Sequence, residues 1–151
     1  MQYTKENLYI PPFNDSEEDE LILSITPEIA GWELISFQAR RLNEGRSWSF
    51  SNGENELAIV NLSGTYSIES NLGNWTNFGG RASVFEGGGS ALYLPRGSEF
   101  TITAETSGEY AVAWVPTDQD NDACLITPDQ VSSSIRGGDN VSRQINDLLP
   151  P

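Results

Sequence analysis

The chain has 151 residues, 37% of them hydrophobic, and its 22 acidic and 8 basic residues leave a net charge of −14. That length gives one ordinary domain with room for a sizeable core, and the apolar share excludes a disordered chain. A field this negative repels phosphate backbones and anionic lipid, which excludes nucleic acid and membrane surfaces as partners.

Met1 to Pro12 has no apolar stretch of signal-peptide type. Cys124 is the only cysteine, so no intrachain disulfide forms. Both features predict a cytoplasmic chain. The run Asp15-Ser16-Glu17-Glu18-Asp19-Glu20 reads as a solvated loop. From there the chain shows no sustained helical periodicity. Short apolar runs alternate with Gly, Asn, Ser and Pro, the pattern of an all-β protein. Strands are predicted at 21–25, 32–42, 46–50, 56–62, 65–69, 82–85, 91–94, 99–104 and 109–115. Between the first two, Thr26-Pro27 and Gly31 bracket a single helical turn, with Thr at the N-cap, Pro at the first position and Gly past the end. Tight turns are expected at Asn43-Glu44-Gly45, Ser51-Asn52-Gly53, Ser63-Gly64 and Pro95-Arg96-Gly97. Many short strands joined this way fit a double-sheet jelly-roll sandwich. Composition shifts after Val115. Residues 1–116 are predicted to form the folded domain, and 117–151 an extended C-terminal tail or linker with a short helix at 142–149.

The chemistry that is absent is informative. No histidine occurs anywhere, which removes the usual base near neutral pH and the commonest metal ligand. A Ser–His or Cys–His nucleophile is excluded. Cys124 has no basic neighbours and reads as inert. Glu33, Glu86, Glu99 and Glu109 lie in or beside strands, but nothing in their spacing pairs them for acid–base work. The glycines at 79–80 and 87–89 lack the Gly-Lys-Ser/Thr ending of a phosphate loop and read as turns. Trp32, Trp48, Trp75 and Trp114 could stack on a sugar, though such residues more often supply core mass. No catalytic residue is assigned.

The segment Gly89-Ser90-Ala91-Leu92-Tyr93-Leu94-Pro95-Arg96-Gly97 resembles the second motif of cupins. Gly89, Pro95 and Gly97 match, while Phe100 and Ala104 stand where that family places His and Asn. Gly45 and Gly64 bracket a segment similar to the first motif, with Ser51, Gly53 and Leu57 at its ligand positions. The resemblance implies a cupin-like double-stranded β-helix whose four metal positions, Ser51, Gly53, Leu57 and Phe100, are vacant. None of these four side chains coordinates a divalent ion well, so no cofactor is expected in this chain.

A wider resemblance covers nearly all of it. Thr26-Pro27-Glu28 with Ala30-Gly31-Trp32-Glu33, Gly79-Gly80-Arg81-Ala82-Ser83-Val84-Phe85, Tyr93 to Gly97, and Arg136 to Asn140 with Ser142-Arg143-Gln144 are similar to the 5-deoxy-glucuronate isomerase family of inositol catabolism. That resemblance implies a bicupin about twice this long, acting as an aldose–ketose isomerase on a sugar acid. A second cupin would follow Pro151 and carry the divalent metal, with this chain as the N-terminal, inactive half. Its implied partners are that second cupin or further copies of the chain, and a sugar acid. Arg81 and Arg136 are the basic residues suited to a sugar carboxylate; the plainer alternative gives both structural hydrogen bonds. A stand-alone, non-catalytic binding module remains open, since a fold does not fix a function.

Strand alternation makes one further prediction. With Ser51 and Gly53 inward, Ser47 and Ser49 follow them, and Trp48 and Phe50 point outward. Two exposed aromatics mark an interface with another cupin domain or subunit, unless Leu8–Phe13 or the tail covers them.

Overall fold

A computed structural model describes residue 4 and residues 7–13, 20–138 and 140–148. It contains strands β1 (Leu21–Ile25), β2 (Ser36–Leu42), β3 (Ser47–Ser51), β4 (Asn55–Asn61), β5 (Gly64–Ser70), β6 (Gly73–Arg81), β7 (Ala91–Leu94), β8 (Glu99–Ala104), β9 (Gly108–Pro116), β10 (Cys124–Ile126), β11 (Ser132–Gly138) and β12 (Val141–Asp147). The single helical turn, α1 (Pro27–Ala30), lies where Thr26-Pro27 and Gly31 predict it. Gly31 closes it in the left-handed conformation at φ 73° and donates to the Pro27 carbonyl.

Two antiparallel sheets pack face to face. One has the order β1-β2-β9-β4-β7-β10, the other β3-β8-β5-β6. This is the double-sheet sandwich that the short strands and tight turns predict, and it agrees with the fold that the cupin resemblance implies. Period-2 alternation drives the burial. In β8, Phe100, Ile102 and Ala104 are buried while Glu99 is exposed and Thr101 and Thr103 are half-buried; in β4, Leu57, Ile59 and Asn61 point in. Tyr66, Ile68, Leu92, Leu94, Tyr110 and Val112 complete the core. Each fully buried side chain of this size contributes about 1.5–3 kcal/mol through removal from water.

Gly64 is required at its turn. Its φ is 80°, and an added Cβ would lie 2.9 Å from both the Gly108 Cα and the Ser107 carbonyl. Only glycine lets the β4–β5 turn approach the backbone leading into β9 this closely.

Several expectations need correction. The strand predicted at 82–85 is a loop, with Phe85 94% exposed. The strand is instead β6, immediately before it. Its pairing with β5 slips between Tyr66 and Ile68, where Asn77 adopts φ 56°. This bulge breaks the period of two by which a strand is recognised. Residues 32–35 are irregular, so β2 begins only at Ser36. Nor does the barrel end at 116: β10 pairs with β7, and Ile126 is buried. The polar segment between β9 and β10 is held by Arg96, whose guanidinium donates to both carboxylate oxygens of Asp120 at 2.6 and 3.1 Å. Residues 142–147, predicted helical, form β12, which pairs with β11 over seven register positions. The acidic run is described only at Glu20; its other residues lie outside the described residues.

Candidate functional site

The barrel interior is where a cupin would hold a metal or a small ligand. Here β3 presents Trp48 and Phe50 to it, not the serines. Ser47 and Ser49 lie on the outer face, where their hydroxyls pair with Thr103 and Thr101 at 2.8 Å. The predicted parity of β3 is therefore reversed. Trp48 stacks on Phe50 with centroids 5.2 Å apart and meets Phe100 edge-on at 5.6 Å; Phe50 packs on Trp114 at 5.4 Å. Trp48 and Phe50 are half-buried and pack against the core. The outward orientation from which an interface was expected is absent. Motif spacing does not fix the parity of β3, because Gly53 lies in the β3–β4 turn with φ 55° and so outside the strand's alternation.

Of the four positions where the cupin comparison seeks ligands, only Leu57 and Phe100 face the interior, 1% and 4% exposed. Neither carries a lone pair for a metal, and stacked rings occupy the space between the sheets. The interior does not fit a divalent cation. Among the described residues, no three His, Cys, Asp or Glu side chains cluster as a metal site would require.

The interior is not wholly apolar. Arg40 on β2 is buried, lays its guanidinium 4.1 Å from the Trp48 ring centroid, and donates to the Gln38 side-chain oxygen at 2.9 Å. Among the described residues the buried Arg40 Nε and Tyr110 hydroxyl make no well-formed hydrogen bond, although the Arg40 guanidinium lies beside the phenol and offsets part of its burial. Burial pushes the Tyr110 phenol well above its ordinary pKa, so this group stays neutral. The cation–π contact offsets part of the cost of burying the guanidinium.

Arg81 is placed at the end of β6. Its guanidinium donates to the Asn61 carbonyl and, at 3.5 Å, to that of Gly87, and its Nε is buried. Burial lowers its pKa. Gly89 packs flat beside it, where an added Cβ would lie 3.0 Å from a guanidinium nitrogen. Two of its donors thus serve the backbone, tying the glycine loop to β4. Arg81→Met is expected to cost about 1–2 kcal/mol in urea unfolding and to speed amide exchange in residues 83–90. Unchanged exchange there would show that the strap is not what holds the loop.

The remaining groups are scattered. Glu109 pairs with Arg41 at 2.8 Å, and the exposed Cys124 sits on the edge strand β10. Glu99 lines an open groove on the outer face of the smaller sheet, about 730 Å³, with Ser49, Ser51, Glu69, Asn71 and Asn74 among its walls. Sequence reasoning missed this groove because its residues come from four strands whose order only the sheet defines. Of the tryptophans, Trp48, Trp75 and Trp114 pack on the core, while Trp32 is 43% exposed. Arg136 lies on the β11–β12 ribbon, directly opposite Arg143 and exposed. The structure does not bring Arg81 and Arg136 together through any hydrogen bond or ion pair. No helix among the described residues is long and apolar enough to cross a membrane.

A 5-deoxy-glucuronate isomerase of Geobacillus kaustophilus is 32% identical over 144 residues, covering 95% of this chain and 52% of that protein. One from Bacillus subtilis is 24% identical over 132 residues, 87% and 49% of the two. The crystal structure of an IolB-like protein from Salmonella typhimurium superposes with a TM-score of 0.87 at 30% identity, over 93% of this chain and 53% of that one. Bacillus subtilis oxalate decarboxylase, at 15% identity and a TM-score of 0.51, shares the fold alone. The chain spans about half the length of the curated relatives it matches. The model of the KduI/IolB family matches residues 8–151, so across its sandwich and ribbon alike this chain belongs to that family.

Proposed function

We propose that this chain is the N-terminal, metal-free half of a sugar-acid isomerase, with aldose–ketose isomerisation of 5-deoxy-glucuronate performed in a following cupin. The observation that carries the reading is the match of 95% of this chain to only 52% of an isomerase that bears that name. Moving a proton between adjacent carbons needs a base, and a metal commonly polarises the carbonyl. This chain has no histidine, and aromatic rings fill its barrel. What remains for it is to scaffold the catalytic half and supply part of a wall to the substrate. Its partners in this reading are the second cupin, further copies of the same assembly, and the sugar acid; the divalent metal belongs to the second cupin.

The expected result is that the 151-residue chain, purified and supplied with manganese or zinc, gives no turnover of 5-deoxy-glucuronate and retains no stoichiometric metal after dialysis. A gene product in which the reading frame continues through a second, histidine-bearing cupin should turn it over. Turnover by the short chain overturns the division of labour. A stop codon after Pro151 in the native gene favours the second reading, a stand-alone binding module. The polar groove beside Glu69 and Glu99 is the observation that supports it.

A further inference from the structure

The β11–β12 ribbon stands apart from the sandwich. Seven cross-strand pairs hold it together, and most of its residues are exposed. A two-stranded ribbon is marginal in water by itself. Its register also contains an unfavourable choice. Arg136 faces Arg143 directly across the ladder, and like charges in that position destabilise a strand pair. Neither guanidinium has a carboxylate within ion-pair distance among the described residues, whereas Arg41, Arg46 and Arg96 all do.

Strand alternation puts Ser134, Arg136 and Gly138 on one face, with Arg143 and Ile145 across from them. The Ser134 hydroxyl is buried and has no hydrogen-bond partner among the described residues. On the other side of the arginines, a Cβ built on Gly138 would meet nothing within 4 Å. The face therefore gathers two guanidiniums that meet no carboxylate among the described residues, beside open space at Gly138. The molecule is otherwise strongly acidic, so two adjacent cations are a local exception to its field.

We propose that Arg136 and Arg143 form a two-guanidinium clip for the carboxylate of a sugar acid. A planar carboxylate accepts two parallel bonds from one guanidinium; a second guanidinium in cross-strand register lies within reach of the same anion. Binding turns the like-charge repulsion across the ribbon into shared attraction. This assignment rests on the sugar-acid isomerase reading and deepens it by giving the substrate's charged end a place on this half.

The test uses the 151-residue chain and the arginine Nε–H resonances, titrated at constant ionic strength with sodium D-glucuronate, D-glucose or inorganic phosphate. Glucuronate should shift the Arg136 and Arg143 signals together along one saturating curve, and glucose should leave them in place. Arg143→Gln should weaken the apparent affinity at least about fivefold, with the dispersed amide spectrum showing an intact fold. Arg96→Gln should leave the affinity unchanged. No saturation below about 100 mM glucuronate, or an Arg143→Gln variant that binds equally well, overturns the clip. Phosphate binding tighter than glucuronate overturns the assignment to a sugar carboxylate. None of these failures touches the isomerase reading, which is decided by turnover in the longer gene product.

Discussion

Phe100→Ala is expected to destabilise the chain by about 3–5 kcal/mol, a large share of the about 5–15 kcal/mol that holds a domain of this size folded. Phe100 is 4% exposed and meets Trp48 at 5.6 Å and Phe50 at 6.2 Å between ring centroids. Removing its ring opens a void that two large, stacked neighbours cannot close by rotamer changes. Urea unfolding followed by tryptophan fluorescence measures the loss, and Trp48 reports on the same cavity. A loss below about 1 kcal/mol would mean that the sheets close over the gap, contrary to the limited relaxation of packed cores. Phe100→Leu, which keeps most of the volume, should cost much less. Phe100→His is a sharper variant. It restores the residue type of metal-binding cupins at that position, yet it should gain no metal affinity, because the rings of Trp48, Phe50 and Trp114 leave one imidazole without co-ligands.

Asn52→Ala is expected to cost about 1–3 kcal/mol through hydrogen bonds alone. Asn52 is 2% exposed. Its amide donates to the Pro95 carbonyl at 2.7 Å, and its side-chain oxygen accepts from the Ser98 backbone N–H at 2.8 Å. One side chain thus ties the β3–β4 turn to the β7–β8 turn. Alanine leaves the buried Ser98 N–H without an acceptor, whereas Pro95 keeps a bond from the Ser98 hydroxyl at 2.6 Å. Asn52→Asp adds a pH signature. A carboxylate here is desolvated and faces the Pro95 carbonyl, so its folded pKa rises above the unfolded value of about 3.9. Its protonated form can donate to Pro95. Relative to wild type at each pH, the Asp variant should be least destabilised below pH about 4 and lose ground as pH rises through the folded pKa. Equal destabilisation at pH 4 and pH 8 would show that the amide donor is not what the turn needs.

Much of the fold is legible in the residues. The strands β1, β7, β8 and β9 stand where alternating or β-branched runs lie between turn residues, and α1 stands where Thr26-Pro27 and Gly31 set it. These are local signals, and nothing tertiary competes with them. The failures share a different cause. The strand β6 carries few apolar residues, and the irregularity at Asn77 interrupts its alternation. The strand β12 reads Val-Ser-Arg-Gln-Ile-Asn-Asp, with apolar residues four apart at Val141 and Ile145. That spacing suits one helix face as readily as one strand face, and only pairing with β11 decides it.

The site shows the same division. Composition alone determined that this chain has no histidine for a metal or a base, and the motif residues at 26–33, 79–85, 93–97 and 136–144 determined its family resemblance. Which way β3 faces was decided only in the folded molecule. Ser47-Trp48-Ser49-Phe50-Ser51 alternates perfectly, so its pattern allows either parity; motif spacing chose the wrong one, and the second sheet chose the other. Burying Trp48 and Phe50 against Phe100 and Trp114 releases far more water from apolar surface than burying three serines would, while the Ser–Thr hydroxyl pairs form readily on the wet outer face. The facing of Arg136 and Arg143 is likewise a fact of register, since a one-residue slip of the ribbon would set them on opposite faces. The sequence determines which residues are present and how they alternate; the pairing of strands distant in sequence determines which of them meet, because burial free energy belongs to the assembled sheets and not to any strand alone.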